Sequence, residues 1–274
     1  MLMVATLASF IGIALGLLGG GGSILAVPVL AYGAGLSAKA AIATSLLVVG
    51  TTALFALIPH GLRGNIAWRT GTIFSATAMV GAYGGGLLAG QFSGTTLLLL
   101  FAGMMVVTAL AMFRGRGELT TRTHEPLPWL LVVAEGLAVG AATGLVGAGG
   151  GFLVVPALVL LGGMDMHRAV GTSLLVIATK SFAAFAGHAA HVSVDIEITL
   201  VVTIAAVLGS FVGVLLGRRV SAEKLRKGFA VFVMLMAGYV LWREAGVAAS
   251  AGSFLVIATI LSWWRYQRTR ALYS

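Results

Sequence analysis

The fold is decided by the stretch GLLGGGGSILAVPVLAYGAG at residues 16–35, which returns as GLVGAGGGFLVVPALVLLGG at residues 144–163. The second copy lies 128 residues after the first, which is the interval from Gly16 to Gly144. The same interval, without a gap, aligns a Thr-Ser-Leu-Leu-Val run and a histidine: residues 44–48 with 172–176, and His60 with His188. Shared apolar composition does not explain aligned proline, histidine and Thr-Ser pairs. The chain therefore contains two copies of one unit.

The composition of the chain is that of a membrane protein. Of its 274 residues, 59% are hydrophobic and only 9% are charged, and the mean hydropathy is +1.06. A soluble domain carries about 25% charged residues because its surface must be hydrated. Apolar stretches of about 20 residues, the length that spans the bilayer as a helix, recur from end to end. The net charge of +9 lies in short loops, where it indicates membrane topology and not nucleic-acid binding.

Loops and glycine clusters divide the chain into apolar segments. They predict segments at residues 3–18, 23–34, 38–60, 69–91, 95–113, 129–146, 152–162, 167–190, 195–217, 223–242 and 246–264. The longest hydrophilic stretch, residues 114–128, falls near the middle of the chain. We therefore expect a first repeat at 1–113, a cytoplasmic linker at 114–128, a second repeat at 129–242, and an appended transmembrane segment with a basic tail at 243–274.

The number of elements in each copy predicts that the two copies have opposite orientations. Each copy holds five elements: two short ones around the glycine cluster and three long ones. Because five is an odd number, the second copy must enter the membrane from the side opposite to the first. If the short pairs are re-entrant hairpins, all lysines and arginines fall on one face except Lys39, Arg243 and Lys180, which lies within a segment. Counting each pair as one continuous span divides the basic residues between both faces. Because basic residues accumulate on the cytoplasmic side, we expect all-α inverted repeats with broken helices and an extra C-terminal helix.

The glycine clusters are candidate anion sites. A glycine run exposes backbone that hydrocarbon cannot solvate, so it must face protein or water. Free N–H groups at the start of the second short helix carry a partial positive charge and suit a small anion. The alternative is close helix packing through glycine. The candidate residues are Gly20, Gly21, Gly22 and Ser23 in the first copy, and Gly149, Gly150 and Gly151 in the second.

Polar residues in the long helices extend the candidate substrate site. The hydroxyls of Thr44, Ser45, Thr172 and Ser173 are suited to bind an oxyanion or, alternatively, a carbonyl of the preceding helical turn. Lys180 lies deep within a segment, where ionisable groups are usually functional, so it is a candidate to attract an anion. Pairing or extension toward the outer face is the alternative for Lys180.

Three further residues are candidates for coupling or gating. His60 and His188 end equivalent helices and titrate near neutral pH, although bonding to loop backbone is the competing explanation. Glu135 lies within a segment and is a candidate for proton coupling, although it is close enough to Trp129 that reaching the cytoplasmic interface is the alternative.

The chain resembles the TauE/SafE family of membrane proteins. The resemblance rests on the glycine cluster followed by Val-Pro at residues 27–28 and 155–156, on Ala-x-x-Thr-Ser-Leu at residues 41–46 and 169–174, and on the terminal histidine of that helix. It covers both halves. It implies export or uptake of sulfite, sulfoacetate or a related sulfur-containing anion. The segment at 246–264 and the basic tail depart from the usual pattern.

These observations predict a secondary transporter of the cell membrane that moves a small sulfur-containing anion by alternating access. We expect the lipid bilayer and the anion as its partners, protons as a candidate coupling ion, and neither nucleic acid, a cofactor nor a metal. Whether it forms a homo-oligomer is left open. A passive anion channel of the same fold is the first alternative. An enzyme or scaffold in the membrane is less favoured, because no helix carries paired carboxylates or a His-Glu-x-x-His motif.

Overall fold

The computed structural model describes residues 2–114, 129–147, 151–217 and 219–245, and every regular element in these ranges is helical. The first half contains five α-helices: α1 Leu2–Leu18, α2 Gly21–Pro28, α3 Ala38–Gly61, α4 Trp68–Ala89 and α5 Gly94–Arg114. The second half contains five more: α6 Trp129–Val146, α7 Gly151–Pro156, α8 Met166–Ala189, α9 Ile196–Gly217 and α10 Ala222–Ala245.

Six of these helices, α3, α4, α5, α8, α9 and α10, are long and apolar enough to cross a membrane. The helices α1, α2, α6 and α7 are apolar but shorter. The prediction of an all-α, multi-pass membrane protein is therefore confirmed. The linker at 114–128, apart from Arg114, and the appended segment at 246–264 lie outside the described residues.

The interval of 128 residues recurs in the helix boundaries. The bounds of α8 equal those of α3 moved by this interval, and α9 is related to α4 in the same way. Equivalent residues also begin α3 and α8, because the Ser37 side chain accepts from Ala40 N and the Asp165 side chain from His167 N. Similar local sequence has thus produced the same element at each equivalent position.

Helices α2 and α7 each continue into a π-helical turn after the proline at their end. The π-helical turns are Val29–Gly33 after Pro28 and Ala157–Leu161 after Pro156. A proline within a helix has no N–H to donate and its ring disturbs the preceding turn, so a local change of helical pitch is expected there. We call α1 to Gly33 the first hairpin and α6 to Leu161 the second hairpin.

Glycine contacts give the relative directions of the packed helices. Helices α1 and α9 advance together, with Ser9 beside Gly209, Ile13 beside Gly213 and Leu17 beside Gly217. Helices α6 and α4 also advance together, with Gly136 beside Thr77, Gly140 beside Ala78 and Gly144 beside Ala82. Helices α1 and α6 thus each pack parallel to a long helix of the other half, through small residues that allow close approach.

The equivalent long helices α3 and α8 run in opposite directions. Near the end of α3, His60 lies beside Gly171 at the start of α8, and in the middle Gly50 lies beside Ser181. Helix α9 reverses the direction of α8 across the short loop at 190–195, so α9 is parallel to α3. Helix α1 is parallel to α9 and therefore also to α3. The first hairpin therefore returns to the end of the bundle from which it starts. By the same reasoning α6 runs with α8, and the second hairpin starts from the opposite end.

Helices α5 and α10 pack together and cover the hairpins. Phe101 of α5 meets Phe152 of α7 edge-on, with ring centroids 5.6 Å apart. At the far end of α10, the Tyr32 hydroxyl donates to Glu244 Oε1 at 2.7 Å, and the Arg243 guanidinium lies over the Tyr32 ring. These contacts hold the end of the first hairpin against α10. Leu160 occupies the position equivalent to Tyr32, so the second half lacks this hydroxyl.

The packing of α4 on α6 predicts opposite effects for two neighbouring glycines. A Cβ at Gly85 would overlap the carbonyl oxygen of Ala141, whereas a Cβ at Gly84 would meet nothing within 4 Å. We expect Gly85→Ala to destabilise the protein by about 1–3 kcal/mol through overpacking. Gly84→Ala should leave stability unchanged or raise it, because alanine favours the helix. Thermal unfolding in detergent measures both, and equal melting temperatures would contradict the packing described here.

Candidate functional site

The two hairpins meet inside the bundle at their glycine bends. A Cβ placed on Gly20 would overlap the carbonyl group of Gly151, and a Cβ on Gly151 would overlap the Gly20 backbone. Only glycine allows the two backbones to come this close. Both residues are buried, so this contact is covered by protein and not by lipid. The described backbones of the two hairpins thus come into contact at Gly20 and Gly151.

A serine from the opposite half packs against each bend. Gly19 and Gly147 have positive φ values of 68° and 65°, which end α1 and α6 in the left-handed conformation that favours glycine. Ser45 Oγ of α3 lies 2.8 Å from Gly147 O and 2.7 Å from Ile42 O, and its one proton is shared between these acceptors. Ser173 of α8 packs equivalently beside Gly19, although its hydroxyl donates to Val170 O. Each bend is thus fixed by a long helix of the other half.

The remaining glycines of the first cluster have separate structural roles. A Cβ on Gly22 would overlap the backbone of α1 at Ile11 and Leu15, so this glycine lets α2 pack closely on α1. A Cβ on Gly21 would press on Leu18, and the Ser23 hydroxyl donates to Gly20 O. Packing therefore explains these glycines without an anion, and substrate binding there stays a prediction. Gly149 and Gly150 lie outside the described residues.

Lys180 is the one buried lysine or arginine among the described residues. Its side chain is 1% exposed, and its Nζ donates to Thr143 Oγ1 at 2.8 Å. Thr143 also accepts, through its carbonyl, the N–H of Gly147 at the bend. No described carboxylate lies within 4.0 Å of the Lys180 amine. A single hydroxyl therefore binds an amine that has three N–H bonds when protonated.

The two halves differ at the positions of Lys180 and Thr143. The equivalent positions in the first half are Thr52 and Leu15, which form no such pair: the Thr52 hydroxyl donates to Val48 O instead. Sequence reasoning selected Lys180 but missed Thr143. The signal was present, because two departures from the repeat occur at positions that the fold brings together.

The two threonines next to the bend serines differ in their contacts. Thr172 Oγ1 accepts from Ala67 N at 2.9 Å, which joins α8 to the start of α4. Thr44 Oγ1 is buried, and no hydrogen-bond partner for it is found among the described residues. Thr172 thus has a structural role, whereas the Thr44 hydroxyl is available both to donate and to accept a hydrogen bond.

The candidate coupling residues lie apart from one another. His188 Nε2 is 2.8 Å from Gly144 O in the second hairpin. The Gly16 backbone is close to the equivalent His60 ring, but neither His60 ring nitrogen meets hydrogen-bond geometry with a described residue. Glu135 is half-buried early in α6. Proton coupling through these residues stays a prediction.

Comparison with known proteins agrees with this architecture. The family model described as "Sulfite exporter TauE/SafE" matches residues 4–240. A probable membrane transporter protein of Xylella fastidiosa (strain 9a5c) is 37% identical over 250 residues, which span 88% of this chain and 96% of the relative. A probable membrane transporter protein of Haemophilus influenzae is 28% identical over 258 residues, 86% of this chain and 95% of the relative. YdhB of Bacillus subtilis, also named a probable membrane transporter protein, is 26% identical over 209 residues, 74% of this chain and 84% of the relative. No solved structure matches the chain.

A helical multi-pass fold with two broken helices and a buried lysine, together with these relatives, defines a membrane transporter. The chain belongs to the TauE/SafE sulfite exporter family, since the family model covers nearly all of it. The resemblance seen in the sequence motifs is therefore confirmed. Its location in a cell membrane follows from the same findings.

The contact between the bends predicts the effect of adding one methyl group. Gly20→Ala should force the two hairpins apart, lower the melting temperature, and reduce transport. Gly33→Ala, at the far end of the same hairpin, meets Leu7 only at an ordinary 3.4 Å and is the matched control. Thermal unfolding and transport assays on both variants test this contact. It would be contradicted if Gly20→Ala behaved like Gly33→Ala.

Proposed function

We propose that the protein is a secondary transporter for a small anion, and that Lys180 binds this anion beside the meeting point of the two hairpins. The observation that carries the proposal is the buried amine of Lys180, whose one described partner is the neutral hydroxyl of Thr143. Burying a charge costs several kcal/mol unless it is paired. A lysine kept at such a position without a carboxylate suits an anion that arrives and leaves.

The surroundings of Lys180 provide further groups for an oxyanion. Ile177, one helical turn before Lys180, would be touched by a Cβ on Gly151, so the backbone of Lys180 lies about one turn along α8 from a residue at this contact. Thr143 is one turn before Gly147, and Gly147 is held by Ser45. A small anion bound by Lys180 would also reach the Thr143 hydroxyl. The backbone N–H groups near Gly22 and Gly151 remain candidates to complete the site.

The substrate class that we propose is a small sulfur-containing anion such as sulfite or sulfoacetate. The support is the family description, sulfite exporter, together with the cationic interior. Either anion has several oxygens that accept hydrogen bonds from an ammonium group and a hydroxyl. An inside-negative potential favours export of a monoanion by about 2.3 kcal/mol per 100 mV.

The mechanism that we propose is alternating access between two inverted repeats. The antiparallel directions of α3 and α8 support it, and so do hairpins that start from opposite ends of the bundle. With the linker at 114–128 in the cytoplasm, α3 would start at the outer face and α8 at the inner face. Rocking one half against the other would open the Lys180 region to each face in turn.

Transport by liposomes that contain the purified protein tests the proposed function. A panel of labelled sulfite, thiosulfate, sulfoacetate and taurine would identify the anion, and a turnover far above that of a rocking cycle would indicate a channel. Lys180→Met should lower the apparent affinity roughly tenfold or more, because a charge-assisted hydrogen bond contributes about 1.5–3 kcal/mol. Lys224→Met removes the same charge from the exposed start of α10 and should have no effect.

Stability separates a binding role of Lys180 from a structural one. Replacing an unpaired buried cation by an apolar side chain of similar length should leave the melting temperature unchanged or raise it. If Lys180→Met unfolds the protein at lower temperature and transports normally, Lys180 has a structural role and the proposed site is wrong.

Inverted repeats predict that equivalent loops face opposite sides of the membrane. The chain contains no cysteine, so a single introduced thiol can be labelled selectively. Leu62 in the loop after α3 and Ser193 in the loop after α8 are both exposed. An impermeant thiol reagent added to intact cells should label Ser193→Cys and not Leu62→Cys, and lysed cells should label both. Labelling of both variants in intact cells would exclude the inverted arrangement.

A further inference from the structure

Two clusters of basic side chains lie at opposite ends of the antiparallel pair α3 and α8. Each cluster consists of a buried histidine at the end of one helix, a basic residue three positions later, and a basic residue near the start of the other helix. The first cluster is His60, Arg63 and His167; the second is His188, His191 and Lys39. Every member of one cluster is 128 residues from a member of the other.

The first cluster contains the more available donor. His60 is 8% exposed, and neither ring nitrogen has a hydrogen-bond partner among the described residues. Its Nδ1 would lie 3.3 Å from a Cβ on Gly171, so the ring occupies the contact between α3 and α8. Arg63 is exposed and acts electrostatically on His60, as does His167. Asp165 lies 3.6 Å from the His167 ring, so it offsets part of the positive charge on this side.

The second cluster is built on the loop after α4. Lys39 Nζ donates to Gly90 O at 3.2 Å, and the His191 ring packs against the same glycine. The buried ring of His188 is held in place by its hydrogen bond to Gly144 O, and both Lys39 and His191 act on it electrostatically. The second cluster thus contains two histidines and a lysine where the first contains two histidines and an arginine, and it holds its inner histidine in a hydrogen bond.

We infer that the two clusters are matching anion-admitting vestibules, one at each end of the antiparallel pair α3 and α8. The inference rests on the proposed transport of an anion past Lys180. The ligand class is a small oxyanion, because each vestibule offers cationic side chains and an imidazole N–H. Helix α3 rises about 1.5 Å per residue, so Lys39 and His60 lie roughly 30 Å apart along it, at opposite membrane faces.

The vestibules also explain an exception in the charge distribution. In the proposed topology, Lys39 and Arg243 are the basic residues on the outer face outside the membrane interior, where the positive-inside rule disfavours them. Arg243 stacks over Tyr32, which gives it a structural role. Lys39 instead places positive charge close to His188, with the His191 ring against the same glycine, Gly90. Clefts of one charge raise the local concentration of counter-ions and the rate at which they bind.

Side-specific transport tests the inference. Uptake of labelled sulfite, or of the panel anion that the wild type moves fastest, is measured in inside-out and in right-side-out membrane vesicles. Arg63→Gln should raise KM about threefold to tenfold in inside-out vesicles, and Lys39→Gln should do so in right-side-out vesicles. The maximal rates should change little, and Arg63→Lys and Lys39→Arg should retain the wild-type KM.

Ionic strength and a matched control distinguish charge from structure. The wild-type KM should rise with salt, because the screening length is only about 8 Å at 0.15 M, and Arg63→Gln should weaken this dependence for the inner face. Arg69→Gln removes an exposed charge from the same face without touching the cluster and should match the wild type. The inference is overturned if Arg69→Gln and Arg63→Gln act alike, or if each variant affects both faces equally. Wild-type vesicles that move no anion of the panel would instead refute the proposed function and the vestibules with it.

Discussion

The structure depends on one constraint: a helix broken in the middle of a membrane must hide its free backbone groups from hydrocarbon. Each broken helix of this protein does so against the other, because the Gly20 and Gly151 backbones meet directly. Glycine is needed at this contact because any side chain would push the two backbone segments apart. The parallel packing of α1 on α9 and of α6 on α4 then sets where each hairpin lies. The position of Lys180 near the contact follows from the same arrangement.

Much of this fold was predictable because the sequence contains two copies of one unit, which can be aligned with each other. The interval between the two glycine stretches fixes equivalent positions, and α3 was predicted at 38–60 and found at Ala38–Gly61. The segments predicted at 23–34 and 152–162 each proved to be a short α-helix followed by a π-helical turn. That division depends on how Pro28 and Pro156 disturb the local hydrogen bonds, which apolar periodicity does not report.

The candidate site was only partly predictable, for a physical reason. A single sequence shows which residues are unusual, and Lys180 is unusual because of its depth. It does not show which side chains meet across helices, so the Thr143 partner of Lys180 and the Ser45 contact to Gly147 came from the structure. The glycines Gly21 and Gly22 illustrate the converse: a pattern that suggests anion binding also serves close packing.

The matched boundaries of the two halves have a consequence for the origin of the protein. The contacts that join the halves use the same positions in each, α1 on α9 and α6 on α4, so the interface is complementary to itself. A half-length ancestor inserted in both orientations would already have possessed these contacts as an antiparallel homodimer. Fusion of two copies would free each half from identity with the other, and such freedom would allow residues such as Lys180 and Thr143 to arise on one side alone.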